Sequence, residues 1–117
     1  MATLASAVAE LNRLIAGRKL VEGIDRFYDD NVVMTESASQ STAGKAANRE
    51  RERVFVDGLT KWNATLHDTV IDETRGVALS RWTIEYDHTQ FGAGVLRQIA
   101  AQQWRDGRIV EESFYKV

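Results

Sequence analysis

The sequence predicts an α+β fold in which helices come first and a sheet follows. Apolar residues recur at helical spacing through the first half of the chain. From Lys61 onward they alternate with polar ones and become rich in β-branched and aromatic types. The turn signals in the second half leave connections too short for crossover helices, which makes those strands an antiparallel meander. With 117 residues there is room for one core, so residues 1–117 are read as a single domain with helices packed on one face of a sheet.

Each element has a local cause. Leu4, Val8, Leu11 and Ile15 form a helical stripe over residues 4–16, with Thr3 placed to cap the start and Gly17 to end it. Leu20, Val21, Ile24, Phe27 and Tyr28 form a second, shorter stripe that runs out in Asp29-Asp30-Asn31, residues that compete with helical hydrogen bonds. Val32 to Thr35 is brief and β-branched, which predicts a short strand, and Ser37 to Gly44 reads as a mobile polar loop. A third helix is expected over 46–59 with Ala47, Val54, Phe55, Gly58 and Leu59 inward. Carried back one turn, that stripe lands on Glu50 and Arg51, so one of the two is expected to face inward or rim a cavity. Four long strands are expected at 61–72, 75–88, 94–105 and 108–116, separated by turns at 72–76, 88–94 and 106–107.

Composition excludes several function classes. Fifteen Lys and Arg against seventeen Asp and Glu, mixed along the chain, leave no uncompensated basic face, so a nucleic-acid partner is not expected. No cysteine is present, which removes disulfides, thiolate nucleophiles and Cys-ligated zinc and fits a reducing, cytoplasmic setting. Apolar runs are short and the N-terminus has no basic region leading into an apolar stretch, so neither a membrane span nor a signal peptide is expected. Two histidines make no metal site, and Gly92-Ala93-Gly94 joins strands rather than opening a phosphate-binding helix. His67-Asp68 and Asp87-His88 are neighbours on strands and point to opposite faces, so neither is a dyad.

Four stretches in order resemble the nuclear transport factor 2-like superfamily, and within it the SnoaL-like group. They are Leu14-Ile15-Ala16-Gly17 between two helices and Phe27-Tyr28-Asp29-Asp30-Asn31-Val32-Val33 entering the first strand. Gly44 ahead of Phe55 is the third, and the Trp104 to Val110 hairpin the fourth. The resemblance implies a cystatin-like cone, a strongly bent antiparallel sheet around a pocket closed by three N-terminal helices in the order α-α-β-α-β-β-β-β, and a homodimer. It also implies a range of activities, from ketosteroid isomerase, scytalone dehydratase, limonene epoxide hydrolase and polyketide cyclase to proteins that only bind or assemble, so fold does not settle function. The isomerase constellation is incomplete: no tyrosine lies on the first helix and no acid lies between Gly94 and Arg105.

Strand alternation, with the face chosen by the resemblance, gives a concave set of Trp62, Ala64, Leu66, Asp68, Val70, Ser80, Trp82, Ile84, Tyr86, Gln98, Ala100, Gln102, Trp104, Val110, Glu112 and Phe114, joined by Met34 and Glu36. The walls of a ligand site are assigned to Phe27, Met34, Phe55, Trp62, Trp82, Tyr86, Trp104 and Phe114, with Gln98 and Gln102 orienting polar oxygens. Glu36, Asp68 and Glu112 are the acid/base candidates, because a carboxyl desolvated in an apolar pocket is tuned toward neutral pH. Such a pocket suits a small hydrophobic metabolite and cofactor-free cyclase, isomerase or hydratase chemistry. Structural roles remain open beside these: Glu112 could pair with Arg51 or Arg53, Asp68 and Glu36 could be solvated, and the three tryptophans could fill the cone of a non-catalytic dimerisation or interaction domain.

Overall fold

The first helix, α1 (Leu4–Ala16), begins on Thr3, whose side-chain oxygen accepts the Ser6 N–H at 3.0 Å, and it stops at Gly17. Helix α2 (Leu20–Phe27) ends one residue earlier than its apolar stripe, because Tyr28 is already extended and starts β1 (Tyr28–Ser37). In this computed structural model, which describes residues 3–37 and 40–117, strand β2 (Gln40–Ala43) pairs antiparallel with β1. The segment expected to be a loop is therefore half strand, and its residues 38–39 lie outside the described residues. Helix α3 (Lys45–Asp57) follows, then β3 (Leu59–Asp72), β4 (Val77–His88), β5 (Gly92–Arg105) and β6 (Arg108–Lys116).

The fold class is α+β, as expected, and the four long strands form the predicted meander. The sheet order is β2-β1-β6-β5-β4-β3, and its one departure from an all-antiparallel sheet is that β1 runs parallel to β6. That seam is possible because α3 and the meander separate the two strands in sequence.

Helix α1 packs on β3, α2 on α1 and α3, and α3 on β1, which closes one side of the bent sheet. One end of the enclosed space is solid core: Val8, Leu11, Ile24, Val32, Ala78, Trp104 and Ile109 are buried together there. The other end is not filled.

Two bulges decide which side chains face inward. Between Leu66 and Asp68 the register of β3 on β4 slips by one residue, so Asp68 sits opposite Arg81 on the outer face while Thr69 and Ile71 take the inner positions. Likewise Trp104 pairs with Ile109 while Gln103 pairs with Glu111, which makes Val110 the extra residue and Ile109 the buried one. The strict alternation that placed Asp68, Val70 and Val110 on the concave face fails at those bulges.

Helix α3 keeps the expected phase only in part: Phe55 and Arg51 line the cavity and Leu59 is buried, as expected, but the rest of the stripe does not hold. Ala47 and Val54 are exposed, and the face toward the sheet carries Asn48, Arg51, Glu52 and Phe55.

The turn between β3 and β4 is fixed by Gly76, at φ 68°, where an added Cβ would lie 2.5 Å from the Trp104 carbonyl oxygen. Gly76→Ala therefore combines a positive φ with a clash against backbone that cannot swing away. It is expected to destabilise by more than about 1 kcal/mol, read as a lowered urea midpoint with the m-value unchanged.

Candidate functional site

The unfilled end of the cone is a cavity of about 470 Å3. Its walls are mostly apolar: Met34, Phe55, Trp62, Trp82, Tyr86 and Phe114 all line it, as expected from the sequence, and Gln98 supplies a polar group on the same wall. Phe55 anchors an aromatic cluster, edge-on to Trp62 at 6.5 Å and to Tyr86 at 6.1 Å and stacked on His88 at 5.1 Å. Trp62 is held by its indole N–H, which donates to the Ile15 carbonyl at 2.8 Å at the end of α1.

Three expected ligand contacts lie behind the wall instead. Phe27 packs edge-on against Trp104 in the core, the Trp104 indole N–H donates to the Gln102 side-chain carbonyl at 2.9 Å, and none of the three lines the cavity. Since an indole N–H only donates, it fixes the Gln102 amide so that its NH2 points at Glu112, which accepts at 2.7 Å.

Glu112 is 1% exposed and faces the cavity. Neither Arg51 nor Arg53 reaches it. Its second oxygen accepts from the Tyr28 hydroxyl. Burial raises its pKa to about 7, opposed by the two donors and reinforced by the negative charge of Glu52 and Glu36. Burial, with the Glu112 carboxylate beside it, pushes the Tyr28 phenol well above its ordinary value, so Tyr28 stays a donor.

Helix α3 brings the rest of the charge. Asn48, fully buried, donates to the Thr42 and Gly44 carbonyls at 2.9 and 2.8 Å and accepts from Arg51 at 3.2 Å. Arg51 then bridges two carboxylates, Glu36 at 2.7 Å and Glu52 at 3.4 Å, and its buried Nε–H has no partner. Burial lifts Glu52 to about 7 despite the Arg51 guanidinium. Glu36, on a bulge of β1, is partly exposed and lines the cavity through this bridge.

Asp68 does not belong to this group. It lies on the outer sheet face, more than half exposed, and its carboxylate accepts from Arg81 Nε at 2.7 Å. Sequence reading also missed Tyr28, Glu52, His88 and Phe91 as cavity-lining residues. Of these, Tyr28 carried a signal: it closes an apolar stripe at the point where the chain turns into β1. Glu52 carried none, because its helix face is polar where an apolar one was sought.

The sequence profile of the SnoaL-like domain matches residues 8–112, nearly the whole chain. The chain belongs to the SnoaL-like family. Among solved structures, a protein named as a SnoaL-like polyketide cyclase from Mesorhizobium loti superposes with a TM-score of 0.81 at 14% identity, covering 97% of this chain and 99% of that one. A polyketide cyclase by name from Xanthomonas campestris gives 0.76 at 17% identity over 97% and 90% of the two chains. An epoxide hydrolase of the LEH-like kind from M. tuberculosis gives 0.77 at 14% over 95% and 80%. No curated protein matches the chain. At these identities the likeness shows the nuclear transport factor 2-like cone and not a shared chemistry.

Among the described residues, no three His, Asp or Glu side chains gather in a way that would hold a metal ion, and no helix is long and apolar enough to cross a membrane.

The raised pKa of Glu112 has a consequence for stability. Its folded value, about 7, lies above the ordinary 4.5, so its contribution to stability is present in full below about pH 4.5 and is lost as pH rises to 7. Glu112→Gln, which cannot ionise, is expected to gain on the parent protein across that window by up to about 3 kcal/mol, because each tenfold change in proton affinity is worth about 1.4 kcal/mol. Urea midpoints of both proteins at pH 5 and pH 8 measure the difference, and parallel pH dependences would contradict the burial argument.

Proposed function

We propose that this SnoaL-like protein binds a small, largely apolar metabolite carrying one or two oxygens and turns it over by cofactor-free acid/base catalysis. The observation that carries the reading is a solvent-shielded carboxyl, Glu112, facing a cavity otherwise lined by aromatic and aliphatic side chains and tuned to titrate near neutral pH. A cavity of about 470 Å3 lies within the range of small-molecule sites and is larger than a filled cone would leave.

Burial lifts both Glu112 and Glu52 to about 7, and the negative charge of Glu52 adds to the rise at Glu112. Near pH 7 the cavity then holds both a carboxylic acid and a carboxylate, one to give a proton and the other to take one. Tyr28 remains protonated and orients Glu112. Arg51, braced by Asn48 and Glu36, lines the cavity and presents its positive charge to an oxygen of the ligand. Names among the structural relatives, polyketide cyclase and epoxide hydrolase, are consistent with proton-transfer chemistry of the cyclase, isomerase or hydratase type.

Native mass spectrometry of gently purified protein, followed by denaturing extraction, tests the binding half. A near-stoichiometric apolar metabolite is the expected result, and an empty protein that shows no thermal shift across aromatic and lactone-like compounds would overturn it. For the catalytic half, Glu112→Gln is expected to lower kcat by about 10²–10⁴-fold, with a smaller change in KM. Retention of full turnover in both Glu112→Gln and Glu52→Gln would remove the acid/base role and leave binding.

We further propose a cytoplasmic homodimer formed through the outer sheet face. There Val70 lies opposite Leu79, and Tyr115 opposite Ile99, so exposed apolar side chains cluster among the polar ones. Sedimentation is expected to give twice the 13.2 kDa chain mass, and Leu79→Glu to shift the protein to a monomer. A monomer in the parent protein would refute the assembly.

A further inference from the structure

We propose that the crevice between α1 and β3 is a second binding site, separate from the central cavity, for a small neutral apolar molecule carrying one hydroxyl group, an alcohol or a phenol. Ala5, Ala9, Asn12 and Ala16 stand at i, i+4, i+7 and i+11, which puts them on one face of α1. That face looks onto β3, and because three of its four side chains are methyl groups the helix leaves a crevice of about 360 Å3 against Leu66 and Ile71. Trp82 also lines it and is shared with the central cavity.

Arg13 and Thr69 also line this largely apolar crevice, but its buried polar side chain is Asn12. It is 5% exposed, and its NH2 donates to the Ser80 hydroxyl at 3.2 Å and reaches Thr69 Oγ1 at 3.5 Å. Its carbonyl oxygen is buried with no partner. An amide left half-satisfied at a buried position is unfavourable, and this one lines the crevice, where a bound molecule would supply the missing partner. A hydroxyl is the group that fits. If the carboxamide keeps this orientation, the ligand O–H donates to Oδ1. If it turns by a half-rotation, so that Ser80 donates to it, the ligand oxygen accepts from the NH2. Arg13, the charged side chain on the wall, is paired with Glu10, so the site favours a neutral occupant over an acid.

The test compares p-cresol with toluene, which share a ring and a methyl group and differ by the hydroxyl, using two-dimensional NMR of the intact protein. Expected are p-cresol shifts at the Asn12 side-chain amide and at Ala5, Ala16, Leu66 and Ile71, with binding at least about tenfold tighter than toluene's. Asn12→Leu is expected to abolish the preference for the hydroxyl. Should that variant fail to fold, Ala9→Phe decides alone. Position 9 is open to solvent, so the new ring plugs the crevice from outside; the shifts at Ala5, Ala16, Leu66 and Ile71, which line the crevice and not the central cavity, should vanish, while any at Phe55 and Tyr86 in the central cavity persist. Equal binding of toluene, shifts confined to the central cavity, or shifts at Ala5, Ala16, Leu66 and Ile71 that survive Ala9→Phe would each overturn the proposal. So would a crystal in which an ordered water satisfies Asn12 and stays in place when p-cresol is soaked in.

Discussion

A carboxyl group cannot be held 1% exposed in an apolar interior without partners, and the partners of Glu112 explain much of the architecture around it. Tyr28 comes from the first residue of β1, and Gln102 from the neighbouring strand β5, directly across from Glu112 in the register. Trp104 fixes the Gln102 amide, and Trp104 is in turn wedged against Phe27 at the end of α2. The chain of contacts from Phe27 through Trp104, Gln102 and Glu112 to Tyr28 ties the α2–β1 junction to β5 and β6. The same residues that seal the solid end of the cone therefore aim the carboxyl into its open end.

The second constraint is curvature. A sheet must bend to enclose a space, and the bend is made at bulges where one strand carries an extra residue. Each bulge also exchanges the faces of everything beyond it. In β3 the exchange sends Asp68 outward to Arg81 and brings Thr69 inward to the Asn12–Ser80 group, so one inserted position removes an acid from the central cavity and builds the polar floor of the crevice beside it.

This explains which parts of the molecule were legible in the sequence. Helices α1 and α2 and the four meander strands were, because their hydrophobic period agrees with their tertiary roles, and Glu112 was, because alternation along β6 put it on the face that the family resemblance chose as concave. Asp68 and Val110 were misplaced because alternation assumes an unbroken ladder and a bulge leaves no mark in composition. Strand β2 was missed because Gln40 to Ala43 is polar and short, and it pairs on account of its partner β1 rather than its own propensity. Helix α3 was read correctly at Phe55 and Arg51 but not at Asn48 and Glu52, for a more instructive reason. An apolar stripe was sought on the face toward the sheet, and the face that meets the cavity carries Asn48, Arg51 and Glu52. A buried face that breaks the hydrophobic rule is where function is expected to sit.

The division of labour in the cavity follows from that. Its apolar walls come mainly from β4 and β5 on the sheet side and from all three helices opposite, and its charge comes from α3 and the parallel seam of β1 with β6. The walls need only large apolar side chains at alternate positions, a requirement many sequences meet, and this is why relatives at 14% identity superpose over nearly the whole chain. The charged side is far less forgiving: Asn48 must satisfy two carbonyls for Arg51 to bridge Glu36 and Glu52, and Tyr28 must begin β1 for its hydroxyl to reach Glu112. Substitution on the walls changes which molecule fits, while substitution on the helix and seam changes whether a buried carboxyl holds its proton at neutral pH. Shape and proton chemistry thus rest on different side chains, even where α3, β1 and β6 carry both, and a family that keeps the cone has the physical means to vary one without the other.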